Sequence, residues 1–171
     1  MILGARKPSI DKLLGRPAMA GNLLDMTVAG EKAFLYSMGP FELIVGYFGD
    51  VARYMAIRRK QGPRARLTPT ELAAALALNA PAVLWTSQPG EIPAQTGKST
   101  TKKSAAAKVS ARLPTTYFSF VERDPKVKEK VLREILGWQP SEGAYAFFYL
   151  PALEGALPLV PAEWAVHQKL N

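Results

Sequence analysis

The stretch from Gln88 to Arg112 limits what this chain can fold into more than any other feature. It reads QPGEIPAQTGKSTTKKSAAAKVSAR, which is rich in Lys, Ser, Thr and Ala and poor in large apolar side chains. A segment of this composition cannot bury enough apolar surface to order itself by packing. It is therefore predicted to be a basic arm or linker, and the core must come from the residues on either side of it.

The rest of the chain can supply such a core, because 48% of its 171 residues are hydrophobic. This length is typical of one domain. We predict a basic N-terminal arm over 1–16, a helical core over 17–87, the arm or linker over 88–112, and a second part of the core over 113–171. The expected fold class is mainly α: a helical single domain with basic extended arms and a possible small β element.

Helix signals account for most of this prediction. Residues 40–60 are apolar over most of a helical circumference, which is typical of a helix buried on several sides. Residues 68–80 carry the cleanest start signal, because Thr68, Pro69 and Glu71 spell a capping box. Further helices are predicted over 8–15 with Ser9 as cap, over 17–38 with a break near Gly30, over 124–137 with Asp124 as cap, and over 161–170.

Three segments favour or allow strands. The alternation in TTYFSFVE, residues 115–122, predicts a strand. Residues 143–152 are strand-like but also fit a buried helix, and residues 82–87 fit either a short strand or a second helix.

The positive charge is segregated rather than spread. No acidic residue occurs in 53–66 or 98–112, and only one occurs in 1–16. The summed positive charge of these three segments exceeds the net charge of +8, so the remaining chain is net acidic. Segregated positive charge is the footprint expected of a protein that binds a polyanion. The candidate nucleic-acid-binding residues are Arg6, Lys7, Lys12, Arg16, Arg53, Arg58, Arg59, Lys60, Arg64, Arg66, Lys98, Lys102, Lys103, Lys108 and Arg112.

One alternative is a nucleotide pocket, because Gly97-Lys98-Ser99 matches the end of a P-loop. The pattern requires its first glycine at position 92, which is Ile92, and the nearest glycine, Gly90, comes two residues too early. Pro93 also removes a backbone donor from a loop that should donate N–H groups to phosphates. The pocket is therefore the weaker interpretation.

A second alternative is a helix-turn-helix regulator. The chain resembles that motif over about twenty residues, centred on ELAAALALNAPAV at 71–83, in its spacing of small and apolar positions. The turn position holds Ala77 rather than the usual glycine. The second helix would offer Ala, Pro, Leu and Trp where residues that read bases belong.

Several chemistries are excluded or unsupported. The chain has no cysteine and a single histidine, His167, which excludes disulfides, thiolate nucleophiles and Cys/His zinc sites. The acidic residues are scattered, so we expect no enzyme activity, no catalytic residue, no metal and no cofactor. No apolar run is long enough to cross a membrane and no signal peptide is evident, so we expect a virion or intracellular location and no membrane partner.

Three features describe the overall organisation of the chain: basic first residues, predicted apolar helices with an arginine-rich end, and many prolines. In these features it resembles the major coat proteins of filamentous viruses of hyperthermophilic archaea. That resemblance implies helical subunits that wrap DNA and assemble into a helical virion. The predicted function is non-enzymatic coating or packaging of nucleic acid, most simply double-stranded DNA, by phosphate contacts that ignore sequence, with copies of the chain or a related subunit as the other partner.

Overall fold

The computed structural model describes residues 1–21, 31–62, 66–93, 112–141 and 144–151. Within these ranges the chain forms eight strands, two α-helices and one 3-10 turn. In chain order the elements are α1 (Lys7–Leu14), β1 (Met19–Gly21), β2 (Glu31–Met38), β3 (Phe41–Phe48), β4 (Val51–Arg59), α2 (Pro69–Ala77), the 3-10 turn (Ala82–Leu84), β5 (Thr86–Pro93), β6 (Arg112–Arg123), β7 (Val131–Pro140) and β8 (Ala146–Tyr149).

All eight strands belong to one antiparallel sheet, in the order β1-β2-β3-β4-β8-β7-β6-β5. Strands β1 to β4 form one meander and β5 to β8 form another. The two meanders join where Tyr54–Ile57 of β4 pair with Ala146–Tyr149 of β8. Strands from both predicted parts of the core therefore contribute to the same sheet.

The prediction of a mainly α fold is wrong, and residues 40–60 show why. They form the β3–β4 hairpin, in which Gly49 turns the chain with a φ of 61°. Leu43 and Val45 point to one face of the sheet and Ile44 to the other, and all three are buried. A strand that is buried on both faces is apolar at every position, so it has the same composition as a helix buried all round.

Two other predicted helices are also strands. Residues 17–38 contain β1 and β2, with 22–30 outside the described ranges. Residues 124–137 contain a turn followed by most of β7. Asp124 does cap backbone amides, accepting from Lys126 and Val127 at 2.8 and 3.3 Å, but the cap closes a turn rather than opening a helix.

Other predictions are confirmed. Helix α2 begins after Thr68 with the expected capping box to Glu71. The strand over 115–122 lies within β6, and AFFY forms β8. Helix α1 is present, but Ser9 is not its cap, because the helix begins at Lys7 after Arg6. The helix over 161–170 lies outside the described residues.

Both α-helices pack on one face of the sheet, which we call the helix face. Ile10 of α1 and Leu76 of α2 share a buried cluster with Leu43, Met55 and Phe148 of the strands. These side chains are at most 8% exposed, and transferring a large aliphatic or aromatic side chain from water contributes roughly 1.5–3 kcal/mol. The helix face therefore holds the main core.

Polar side chains form hydrogen bonds between separate elements at two places in this core. The Tyr36 hydroxyl lies 2.8 Å from Asp11 of α1 and 3.0 Å from the Tyr47 hydroxyl. Burial raises the pKa of Tyr47 to about 12, although its bond with Tyr36 opposes part of this shift. Asn79 accepts hydrogen bonds from the amides of Ile2 and Leu3 at 3.2 and 2.8 Å, which ties the first residues to the end of α2.

The opposite face, which we call the aromatic face, carries large rings near the centre of the sheet. Trp138 stacks on Phe147 at a centroid distance of 5.2 Å and meets Tyr149 edge-on at 5.9 Å. Tyr54 and Ile44 continue the same buried cluster into the first meander. No helix among the described residues belongs to this cluster.

Candidate nucleic-acid interface

Two of the three basic segments meet at one end of the sheet. Strand β4 ends there at Arg59, because Ile57 pairs with Ala146 at the start of β8. Strand β5 ends there and β6 begins there, because Pro93 pairs with Arg112. We call this end of the sheet the basic end. The segment 53–66 leaves β4 at the basic end, and residues 94–111 join two strands whose paired ends also lie there.

A side-chain contact links the first segment to the strand that follows the second segment. The Arg66 guanidinium donates to the Thr116 hydroxyl of β6 at 2.7 Å and approaches the Gln139 amide oxygen of β7 at 3.4 Å. Arg66 remains exposed as a whole. Its position therefore places a cation from the first segment beside the strand that receives the second.

Two of the predicted site residues at this end are neutralised by partners. Arg58 pairs with Glu42 across the β3–β4 hairpin at 2.7 Å and stacks over the Tyr145 ring. Arg59 Nε donates to Glu71 of α2 at 2.7 Å. The Arg59 hydrogen bond, followed by the Thr68 amide, lowers the pKa of Glu71 to about 2. These arginines hold β4 to its neighbours, so they have less charge to offer a phosphate.

Lys60 is the clearest unpaired cation of this group among the described residues. It follows β4 directly, is exposed, and its backbone amide bonds the Pro40 carbonyl at 2.7 Å. Arg53 is half-buried in the interior of β4 and its carbonyl accepts from Leu150, so it does not belong to this end.

The N-terminal basic residues do not converge with the others. The backbone of Arg6 forms an isolated antiparallel β-bridge with Val51, the first residue of β4, at the opposite end of the sheet. Lys7 is held in an ion pair with Asp11 at 2.5 Å, whereas Lys12 and Arg16 are exposed. The end of β4 in the first segment and the strand ends that flank the second thus lie at the same end of the sheet, whereas Arg6 of the third segment lies at the other end.

Several predicted site residues cannot be placed. Arg64 lies in 63–65, and Lys98, Lys102, Lys103 and Lys108 lie in 94–111, both outside the described residues. Arg112 is placed by its backbone at the start of β6. Gly97-Lys98-Ser99 of the P-loop alternative also falls outside the described residues.

The local fold is unlike either alternative motif. Residues 82–93 form the 3-10 turn and then β5, so the second helix required by a helix-turn-helix is missing in a range that is fully described. Strand β5 pairs with β6 in antiparallel fashion. A P-loop instead connects a strand to a helix, as in parallel α/β sheets.

A groove that the sequence did not predict lies on the aromatic face between β5, β6 and β7, with a volume of about 560 Å³. Its lining includes Tyr117, Trp138 and Tyr149 beside the polar Gln88, Ser119 and Glu134. The alternation in VLREILGW could have revealed it, because Glu134, Leu136 and Trp138 fall on one face of a strand.

Further chemistry is not evident in the described ranges. They contain no group of three or more His, Cys, Asp or Glu side chains placed to hold a metal ion. Within the same ranges, no helix has the length and apolar character needed to span a membrane.

Comparison with known proteins identifies no family. No family model matches the chain, and no curated protein matches it. Among solved structures, it is similar to a cysteine-rich secretory protein from Staphylococcus aureus subsp. aureus Mu50. The similarity has a TM-score of 0.34 at 9% identity and covers 87% of this chain. The chain spans 43% of the length of that protein.

Proposed function

We propose that this protein binds nucleic acid through the basic end of its sheet, without catalysis and without reading the base sequence. One observation supports the proposal most: Lys60 and Arg66 of the first acid-free segment lie at the same end of the sheet as Pro93 and Arg112, which flank the second. Positive charge concentrated in one place attracts a polyanion more strongly than the same charge scattered over the surface.

The available chemistry suits phosphates rather than bases. Lys60 and Arg66 are exposed cations on a folded frame, and the sequence between Pro93 and Arg112 adds Lys98, Lys102, Lys103 and Lys108. Lysine and arginine neutralise phosphates and release counterions whatever the sequence. Because Arg58 and Arg59 are already paired, we assign the phosphate contacts to the other cations.

Packaging by self-association stays part of the proposal, but an α-helical coat subunit does not, since the described residues form mainly an antiparallel sheet. The edges of the sheet offer little room for adding a strand. Strand β1 has only three residues, and β5 contains Pro89 and Pro93, which lack an N–H donor. Copies that assemble on nucleic acid would therefore meet through side-chain surfaces.

The first test is the salt dependence of DNA binding. Fluorescence anisotropy with a mixed-sequence duplex should give a log–log slope of about −0.9 for each phosphate contact. Replacing Lys98 alone with Ala should reduce the slope by about one unit at most. Replacing Lys98, Lys102, Lys103, Lys108 and Arg112 together should reduce affinity severely.

Two results would contradict the proposal. One is an affinity that does not change with salt. The other is tight magnesium-ATP binding that Lys98→Ala alone abolishes, because in a P-loop that lysine cannot be replaced by its neighbours.

A further inference from the structure

The groove on the aromatic face has a charge opposite to that of the whole protein. Among the described residues that line it, Glu91 and Glu134 contribute carboxylates, and none is Lys, Arg or His. The chain as a whole carries a net charge of +8. A groove of negative sign on a positive protein selects against the polyanion proposed above, so it calls for a different occupant.

Glu134 is the carboxylate that lies among the large apolar side chains of the groove. It projects from β7 on the face that carries Leu136 and Trp138, where it pairs across the strands with Val121. Its side chain is half-buried and forms no ion pair with another described residue. Burial, followed by the nearby Glu134 charge, raises the pKa of Tyr149.

The walls suit the rest of a cationic side chain. The half-buried Tyr117 and Leu136 provide apolar surface against which the methylene stem of a lysine or arginine can pack, and the buried Trp138 and Tyr149 form the floor beneath them. Aromatic rings also attract the cationic head. Gln88, which is exposed, and Ser119, which is half-buried, offer hydrogen-bonding groups along the groove for a peptide backbone.

We propose that the groove binds an extended polypeptide segment of a partner protein, and that Glu134 holds a lysine or arginine side chain of that segment. The opposite charges of groove and ligand give the selectivity. Because the protein as a whole repels cations, an alternating Lys-Ala peptide would not associate with it through net charge. Saturable binding of such a peptide would therefore require a local site.

The test uses fluorescein-labelled decapeptides of alternating Lys-Ala and alternating Glu-Ala with the full-length protein. The Lys-Ala peptide should bind saturably, and its binding should depend on Glu134. The basic end can attract the Glu-Ala peptide, but that binding should not change in Glu134→Gln. Glu134→Gln should weaken binding by about fivefold to tenfold, as expected for the loss of one half-buried charge pair. Gln88→Glu, which adds a carboxylate to the groove, should strengthen it by a similar factor.

Glu129→Gln is the matched control. It removes the same charge from the exposed turn between β6 and β7, away from the groove, and should leave binding unchanged. Thermal melts of each variant confirm that the fold is retained. The proposal is overturned by any of four results: equal effects of Glu134→Gln on the two peptides, equal effects of Glu134→Gln and Glu129→Gln on the Lys-Ala peptide, no saturable binding of the Lys-Ala peptide up to about 1 mM, or self-association without peptide that Glu134→Gln abolishes. The last result would make a second copy the occupant.

Discussion

The two halves of the molecule repeat one plan with different contents. Each half is a helix followed by four antiparallel strands: α1 with β1 to β4, and α2 with β5 to β8. The last strand of each meander meets the other at the centre of the sheet, and both helices lie on the same face. The chain thus uses one architecture twice without an evident sequence repeat.

The halves differ in where they place large and polar side chains. On the aromatic face the first half contributes a single buried ring, Tyr54, beside small residues such as Ala33 and Ala56, whereas the second contributes Trp138, Phe147 and Tyr149. The groove and the 94–111 connection both belong to the second half. The comparison indicates that the first half mainly supplies a tightly packed frame and that the second carries most of the candidate binding features.

The largest expected effect tests how tightly each half is packed. Gly46 in β3 lies under the Tyr54 ring and Gly90 in β5 lies under the Tyr117 ring, so a Cβ at either glycine would overlap a ring. Tyr54 is 2% exposed and cannot move aside, whereas Tyr117 is half-buried beside the edge strand. We expect Gly46→Ala to lower the free energy of unfolding by about 3 kcal/mol and Gly90→Ala by about 1 kcal/mol.

Urea denaturation of both variants measures this difference, with the slope m checked for two-state behaviour. Equal losses in the two variants would remove the contrast between a rigid first half and a more adaptable second half.

The next effect concerns how the halves hold each other. Asn79, at the end of α2, bonds the amides of Ile2 and Leu3 in the first half. Asn79→Ala leaves the buried Leu3 amide without its partner, whereas the Ile2 amide keeps its bond to the Leu78 carbonyl at 3.2 Å, so we expect a loss of about 2 kcal/mol. Hydrogen exchange should accelerate most at the amide of Leu3. A uniform acceleration across the sheet, with no excess at this amide, would show that Asn79 does not specifically anchor the first residues.

Helix α2, the hairpin over 41–59 and the contacts of Asn79 show what the sequence could and could not predict. The capping box at Thr68 and Glu71 and the alternation over 115–122 are local signals that gave correct elements, whereas the local cap at Asp124 closes a turn instead of opening the predicted helix. The hairpin over 41–59 was mistaken for a helix because burial on both faces hides alternation. Asn79 bonds Ile2 and Leu3, which precede it in the chain by 77 and 76 positions, and no local pattern reports contacts over such a separation.

The candidate site divides along the same line. Charge segregation predicted the basic segments, but only strand pairing shows that two of them share one end of the sheet. The ion pairs of Arg58 and Arg59 are formed with Glu42 and Glu71 on other elements. The sequence therefore overcounted the cations available to a ligand and missed the acidic groove.

The smallest expected effect is alkaline sensitivity of the first half. The raised pKa of Tyr47 means that the folded protein keeps this proton when the unfolded chain has lost it. The free energy of unfolding is therefore unaffected by Tyr47 below about pH 10 and falls as the pH rises from 10 toward 12. Tyr47→Phe should cost about 1 kcal/mol at pH 7, through the lost bond to Tyr36.

Above pH 10 the same variant should lose stability less steeply than the parent, because one titrating group has been removed. Urea denaturation at pH 7, 9, 10.5 and 11.5 compares the two slopes. Identical slopes above pH 10 would show that the Tyr36–Tyr47 pair does not govern alkaline unfolding.

The most direct test of nucleic-acid binding at the basic end compares charge removal at the two ends of the sheet. One variant replaces Lys60, Lys98 and Lys102 with Ala, and the other replaces Lys126, Lys128 and Lys130 in the turn between β6 and β7. Both lose three positive charges. The account predicts that the first variant binds mixed-sequence DNA at least about tenfold more weakly, with a salt slope reduced by about two to three units, and that the second binds like the parent. Equal losses in the two variants, or a larger loss in the second, would contradict binding at the basic end.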